Sequence, residues 1–408
     1  MVNRTIGITS SFQMNRLIQI SAAICIGVIR AECAENKPVA APAHAVASGV
    51  RSLDVYAEGT RVHLLTGESM EGSERPALLH RHSEDSGATW SQPVRIDETL
   101  PAAFSLHRGM DAQLAAAGDH LVAAWTTAGT DQWGSGAMTT ALSEDGGRRW
   151  HAGPNPADDG STTGHGFIDM AADNSGHFHL TWLDSRDGKQ GLRYARSDSA
   201  GKSWSPNTTL KAATCECCPN RIVAGVDGEL AILFRDGNPR DMQLVRSPDS
   251  GRHWLPPAAT GAFDWQFNGC PHVGGGLAIT GEGTSSILHT LSWTGKVERV
   301  GVYHIAIPNG GQPGSEPKQL GDSTASHPDL AAAGQGRIAA VWDSRETSGI
   351  WGSTSTDAGR NWSEPKRLSS IDTPATHPRV ISTGKGFRVF WTEETAEGAM
   401  VWATAVLP

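Results

Sequence analysis

Along most of the chain, apolar and polar residues alternate with a period of two, in short runs broken by Gly, Pro, Asn and Asp. Such alternation predicts β-strands. A representative stretch reads "HPDLAAAGQ" from His327, "GRIAAVWDSR" from Gly336, "GIWGSTS" from Gly349 and "SEPKRL" from Ser363. These are four strands, A to D, separated by turns. The same order begins near Val50, His107, His165, Cys218, Cys270, His327 and His377, at spacings of 50 to 58 residues. A four-stranded unit repeated at this period predicts an all-β propeller of seven blades, with six the alternative if a terminal unit is irregular. The seventh unit runs off the carboxyl end before its fourth strand, whereas "KPVAA" from Lys37 lies the right distance before Val50 to supply one. The amino-terminal segment is therefore expected to complete the last blade and close the ring.

The turn between strands C and D carries a motif of its own. "SEDSGATW" (83–90), "SEDGGRRW" (143–150), "SPDSGRHW" (247–254) and "STDAGRNW" (355–362) share S-x-D-x-G-x-x-W. "SDSAGKSW" (197–204) keeps all but the Asp, which is Ser199. These octapeptides resemble the Asp boxes, or BNR repeats, of the sialidase superfamily. The resemblance covers nearly all of residues 34–408 and implies a single sialidase-like β-propeller domain, a scaffold rather than a reaction. The box aspartates Asp85, Asp145, Asp249 and Asp357 are expected to fix their own turns through backbone amides. Most of the 14 tryptophans are expected to pack between sheets.

The resemblance also implies an activity to test against the residues. The family's best-known enzymes hold a sialic-acid carboxylate with three arginines and use a Tyr nucleophile helped by Glu, with an Asp acid/base. This chain has three tyrosines. Tyr56 falls in the first strand A, and Tyr194 and Tyr303 in C strands. Where the family places a late Tyr at the channel mouth, this chain offers His327 or His377, and the Arg-Ile-Pro motif is missing. A true exo-sialidase is therefore not expected. A sialidase-like glycoside hydrolase or glycan-binding protein stays open, because Arg51, Arg108, Arg221 and Arg379 at strand-A starts, and Arg186 and Arg345 after B strands, reach the mouth. Asp184, Asp187, Asp343 and Glu346 reach the same face and are expected to pair with those arginines. What remains unpaired there would suit a small anionic or glycan ligand.

Charge and compartment narrow the partners. The net charge of −9 over 408 residues disfavours a sequence-independent grip on nucleic acid or an anionic membrane. Arg4 and Arg16 precede an apolar run, Leu17 to Ile29, and then small residues around "AECAEN". That order reads as a signal peptide over residues 1–33, giving a periplasmic or extracellular protein without an integral membrane segment in its mature form. Cys25 and Cys33 leave with it. Cys215, Cys217, Cys218 and Cys270 remain in an oxidising compartment.

The first residue of each strand A falls at one mouth of the central channel. Read around the ring, these positions are Val50, His107, His165, Cys218, Cys270, His327 and His377. Imidazole and thiolate are the donors zinc and copper prefer. Cys218 and Cys270 begin adjacent blades, with Cys215 and Cys217 just before one and His272 just after the other. One local copper or zinc site there is expected, extended to a second ion by His327 or to the far side by His107, His165 and His377. Disulfides are the alternative, with a bridge from Cys215 or Cys218 to Cys270 stapling blades four and five. Thiol redox chemistry by the Cys215-x-x-Cys218 pair is a third. No nucleotide-binding Gly-rich loop stands out; "VGGGLAI" from Val273 reads as strand glycines.

Overall fold

A computed structural model describes residues 39–40 and 49–407, apart from 71–72, 74, 104–105, 131–133, 161–163, 310 and 312–315. The expected signal peptide lies outside the described residues. Residues 36–408 form one compact unit. It contains seven antiparallel four-stranded sheets. Blades 1 to 6 span 50–95, 113–153, 166–211, 221–259, 275–321 and 325–367, and blade 7 takes 375–407. The fourth strand of blade 7 is Val39–Ala40, which pairs antiparallel with Met400–Leu407. The ring is thus closed by the amino-terminal segment, as the missing seventh D strand predicted. Among the described residues, no helix is long and apolar enough to cross a membrane.

The core is divided among the seven gaps between neighbouring blades. Trp125, from the B strand of blade 2, packs with Leu65 and Leu78 of blade 1. Trp182 packs with Val122 and Leu142 of blade 2, and Trp391 with Val341 and Ile350 of blade 6. Phe390 and Trp402 of blade 7 meet Leu53 and Leu64 of blade 1, so ring closure buries an apolar interface like the others. The octapeptide turns hold themselves together. Asp85 accepts the Thr89 amide at 2.8 Å and Asp357 the Asn361 amide at 2.9 Å, while Ser83 and Ser355 accept those of Gly87 and Gly359. In the degenerate copy, Ser199 Oγ accepts the Ser203 amide at 2.9 Å, replacing the missing carboxylate.

These turns also dock onto the preceding blade. His80 faces Gly147 and Trp150, Tyr194 faces Trp254, and His304 faces Trp362. Behind each lies a second buried ring on strand B: His63 with His80 at 3.1 Å, His179 with Tyr194 at 2.8 Å, and His289 with His304 at 3.1 Å. Burial pushes the histidines down, His63 and His304 to about 3, and His80 and His289 to about 4. Each of the four is neutral in the fold. An unfolded chain protonates them below their ordinary value of 6.5, whereas the folded chain does not. Stability is therefore lost as pH falls from about 6.5 toward 4, by about 1.4 kcal/mol per pH unit for each such histidine. Urea unfolding should show a midpoint independent of these groups above pH 7 and a steep fall below 6.5. A midpoint unchanged down to pH 5 would contradict this.

Candidate metal centre at the channel mouth

Each A strand is the innermost edge of its sheet, so its free amides face the channel and need partners. Asp54 accepts the Leu114 amide of blade 2 at 2.8 Å, Asp169 the Ile222 amide of blade 4 at 2.7 Å, and Asp329 the Val380 amide of blade 7 at 2.9 Å. Arg379 reaches Asp54 at 2.6 Å, and Arg221 lies 3.3 Å from Asp169 and 3.5 Å from Asp329. This layer plugs the channel. Burial raises the Asp54, Asp169 and Asp329 carboxyls, Asp329 to about 6. Below it, a cavity of about 340 Å³ is walled by A strands. Above it, a cavity of about 50 Å³ is lined by Arg108, Asn220, Gly274, His327 and His377.

The plug settles most of the mouth arginines. Arg221 and Arg379 belong to it. Arg186 is held by Asp184 at 2.8 Å and Asp158 at 3.0 Å, and Asp184 also takes buried Arg193 at 2.9 Å. Arg345 donates to Ser326 and lies over Trp293. Ion pairing is thus the use of Arg186, Arg221 and Arg379, whereas Asp187 pairs with Arg193 and Asp343, expected to meet an arginine, takes His327 instead. No tyrosine is available there either. Tyr56 spans from blade 1 to blade 3, where its hydroxyl accepts the Ala172 amide at 3.0 Å, and burial raises its pKa to about 12. Tyr194 and Tyr303 are buried between blades.

The histidine and cysteine positions are not all equivalent, contrary to the ring read from the sequence. Strand A of blades 3, 6 and 7 carries a bulge between Gly166 and Asp169, Ser326 and Asp329, and Thr376 and Arg379. His327 and His377 are the first bulged residues, and their counterpart in blade 3 is Phe167, not His165. His165 precedes its strand, is fully buried, takes the Met138 amide on Nδ1 and pairs with Asp159 at 3.2 Å. His107 lies six residues before its strand, exposed, with Nδ1 on the Arg108 carbonyl. His165 thus falls two residues before the shared bulge position, and His107 lies in the connection ahead of its strand A. Neither His107 nor His165 joins the cysteines.

The cysteines do converge. Cys215, Cys217 and Cys218 place their sulfurs within 4.8 Å of one another, and the ligand atoms of Cys217, Cys270 and His272 do the same. Cys217 is shared between the two groups and sits between blades 4 and 5. Cys215 and Cys218 are joined as a disulfide, while Cys217, buried, and Cys270, exposed, are free. The bond closes a turn within one connection, so the expected staple from Cys215 or Cys218 to Cys270 does not form. Burial pushes the Cys217 thiol up to about 12, with Cys270 beside it adding to the rise.

The surrounding residues explain why these two connections meet. Gly274 and Gly276 let blade 5 approach closely: a Cβ on Gly274 would lie 2.7 Å from the Pro219 oxygen, and one on Gly276 2.8 Å from the Leu330 nitrogen. Arg235, almost fully buried, donates to the carbonyls of Val273 at 3.1 Å, Arg240 at 2.6 Å and Trp293 at 2.9 Å. Arg240 pairs with Glu216 at 3.1 Å and donates to Phe267. Both arginines thus tie the 214–218 loop to the 263–273 loop. Sequence reasoning missed them. The available signal was Arg235 itself, an Arg in blade 4 at the strand-B position that Asp343 holds in blade 6.

No family model matches the chain, and no curated protein matches it. Solved structures do. A structure of YCF48 bound to D1 peptide is 12% identical with a TM-score of 0.54, covering 91% of this chain and 95% of that one. The polysaccharide lyase Uly1 is 12% identical with a TM-score of 0.52, covering 93% and 94%. The fold is a seven-bladed β-propeller that they share. A Trypanosoma rangeli sialidase mutant displaying trans-sialidase activity is 12% identical with a TM-score of 0.49, over 88% of this chain and 54% of that one. At these identities the likeness is one of fold, and the propeller's chemistry rests on its own residues.

Burial distinguishes the two free thiols of this propeller. Iodoacetamide added to the native, unreduced protein should modify Cys270 and leave Cys217 intact until denaturant is added, with Cys215 and Cys218 unreactive throughout. Peptide mass mapping reads the outcome. Equal native rates at Cys217 and Cys270 would contradict the burial.

Proposed function

We propose that this propeller is an exported protein of the sialidase superfamily that binds a soft cation, copper(I) or zinc, at Cys217, Cys270 and His272. Its role is metal binding or redox chemistry at that metal. The supporting observation is the convergence of two thiols and one imidazole from consecutive blades on a position open to solvent. Two thiolates and an imidazole form a donor set that zinc takes with a fourth position left open, and sulfur favours Cu(I) or Zn(II) over Mg(II) and Ca(II). Reducing the Cys215–Cys218 bond adds two thiolates around Cys217. The capacity of the site therefore follows the redox state of its compartment. Because Cys217 is protonated when metal-free, binding releases a proton and weakens as pH falls.

Export is read from residues 1–33, where a basic start, an apolar run and small residues follow in order. The glycan-directed reading has weaker support, since Arg186, Arg221 and Arg379 are paired with carboxylates and the tyrosines are buried or half-buried. A disulfide-stapled scaffold is also weaker, because the bond is local to one turn.

Elemental analysis of protein purified without chelator, with and without reductant, tests the proposal. About one equivalent of copper or zinc per chain is expected to depend on the thiols and to be lost in Cys217→Ser and Cys270→Ser, while the circular dichroism spectrum is unchanged. No uptake by the reduced protein, or undiminished metal in both variants, would sink it.

A further inference from the structure

A second cluster lines the same mouth on blades 6 and 7. His327 and His377 stack with ring centroids 3.6 Å apart and planes 21° apart, and one ring nitrogen of each lies within 4.8 Å of the other and of an Asp343 oxygen. Their hydrogen bonds fix the tautomers. His327 Nδ1 lies 2.8 Å from Asp343 Oδ2, and a carboxylate only accepts, so Nδ1 carries the proton. Thr376 gives its one hydroxyl proton to Asp343 Oδ2 at 2.7 Å. Its oxygen must then accept from His377 Nδ1, 2.8 Å away. Both rings therefore hold protons on Nδ1 and keep a lone pair on Nε2.

That is the arrangement of ligating histidines, whose second nitrogen donates to a carboxylate or hydroxyl that sets the ring's orientation. The backbone points the same way. His327 and His377 have φ of 43° and 52° at bulge positions that favour Gly, and each precedes a proline, which restricts it further. Two adjacent blades keep an imidazole where a glycine would be less strained. Asp343 is buried, with three donors on Oδ2 and no partner on Oδ1. An unpaired buried carboxylate oxygen costs stability unless a cation or donor meets it. Arg108, on the His377 carbonyl at 2.7 Å, and Arg345 oppose a cation here, while Asp343 and Asp111 favour one.

We infer that His327 and His377 bind a divalent transition-metal ion of the zinc class through their Nε2 atoms, with Asp343 and Thr376 as positioning residues. The mouth cavity of about 50 Å³ leaves room for water at the remaining coordination positions. This site uses nitrogen donors and is independent of the cysteine reading.

Calorimetric titration of the full chain with Zn²⁺ alone, after Cys270, the thiol that iodoacetamide reaches in the native fold, is capped, tests the inference. One equivalent should bind at pH 7.5. His327→Ala and His377→Ala should each weaken it at least tenfold, and Thr376→Val, which leaves both imidazoles in place, by about tenfold. Thermal unfolding of each variant checks that the fold persists. Absence of binding to the capped protein, or affinity retained in His377→Ala, would overturn the inference. Metal held by the uncapped cysteines is read separately: its retention in His377→Ala, with the capped-protein binding lost, supports two distinct sites, and its loss together with that binding overturns their independence.

Discussion

Everything at the centre of this molecule follows from one constraint, that seven strand edges converge on an axis with no strand between them. An inner-edge amide that is neither paired nor hydrated costs free energy comparable to a lost hydrogen bond. Asp54, Asp169 and Asp329 meet it by reaching to an amide of the next blade. Asp111 reaches back to the Leu53 amide at 2.9 Å, and Ser52 accepts from Ala112 at 3.0 Å. These carboxylates are desolvated, so they draw Arg221 and Arg379 into the axis to offset the buried charge. Two of the arginines that a carboxylate ligand could use are thereby consumed by the scaffold.

Blade 5 solves the same problem differently, and the difference brings the cysteines together. Blade 5 has no carboxylate at this position; it has Gly274, Gly275 and Gly276, which replace side-chain bonds by close backbone approach. Drawing blade 5 against Pro219 carries the 263–273 loop to the 214–218 loop, and so Cys270 and His272 to Cys217. Arg235 then fixes the approach with three carbonyl bonds, one from each guanidinium nitrogen. The site is a consequence of how two blades pack.

How far the sequence spoke depended on whether a signal was repeated. Strand order, seven blades and amino-terminal closure were legible because each unit reports them again. The convergence of Cys217, Cys270 and His272 was legible because they flank neighbouring strand starts. The equivalence of His107 and His165 with His327 and His377 was not, since short A strands permit slips of a few residues in aligning the repeats and the bulge position carries no residue signature, Phe167 holding it in blade 3. The Cys215–Cys218 bond was only one of several pairings that spacing permits. Asp54, Asp169 and Asp329 went unremarked because an Asp inside a strand carries no signal until its partner on the next blade is known.

The two mouth clusters differ in what holds them, and that difference bears on their chemistry. Cys217 is a buried thiol whose nearest neighbours are sulfur and a disulfide, so electrons as well as ions can alter its donor set. His327 and His377 have no redox partner; burial and the neighbouring His327 depress the His377 pKa, which keeps its lone pair available without a proton having to leave. A thiol cluster beside a disulfide and a stacked histidine pair thus lie at one end of one plugged channel. The Asp/Arg layer beneath them closes the axis.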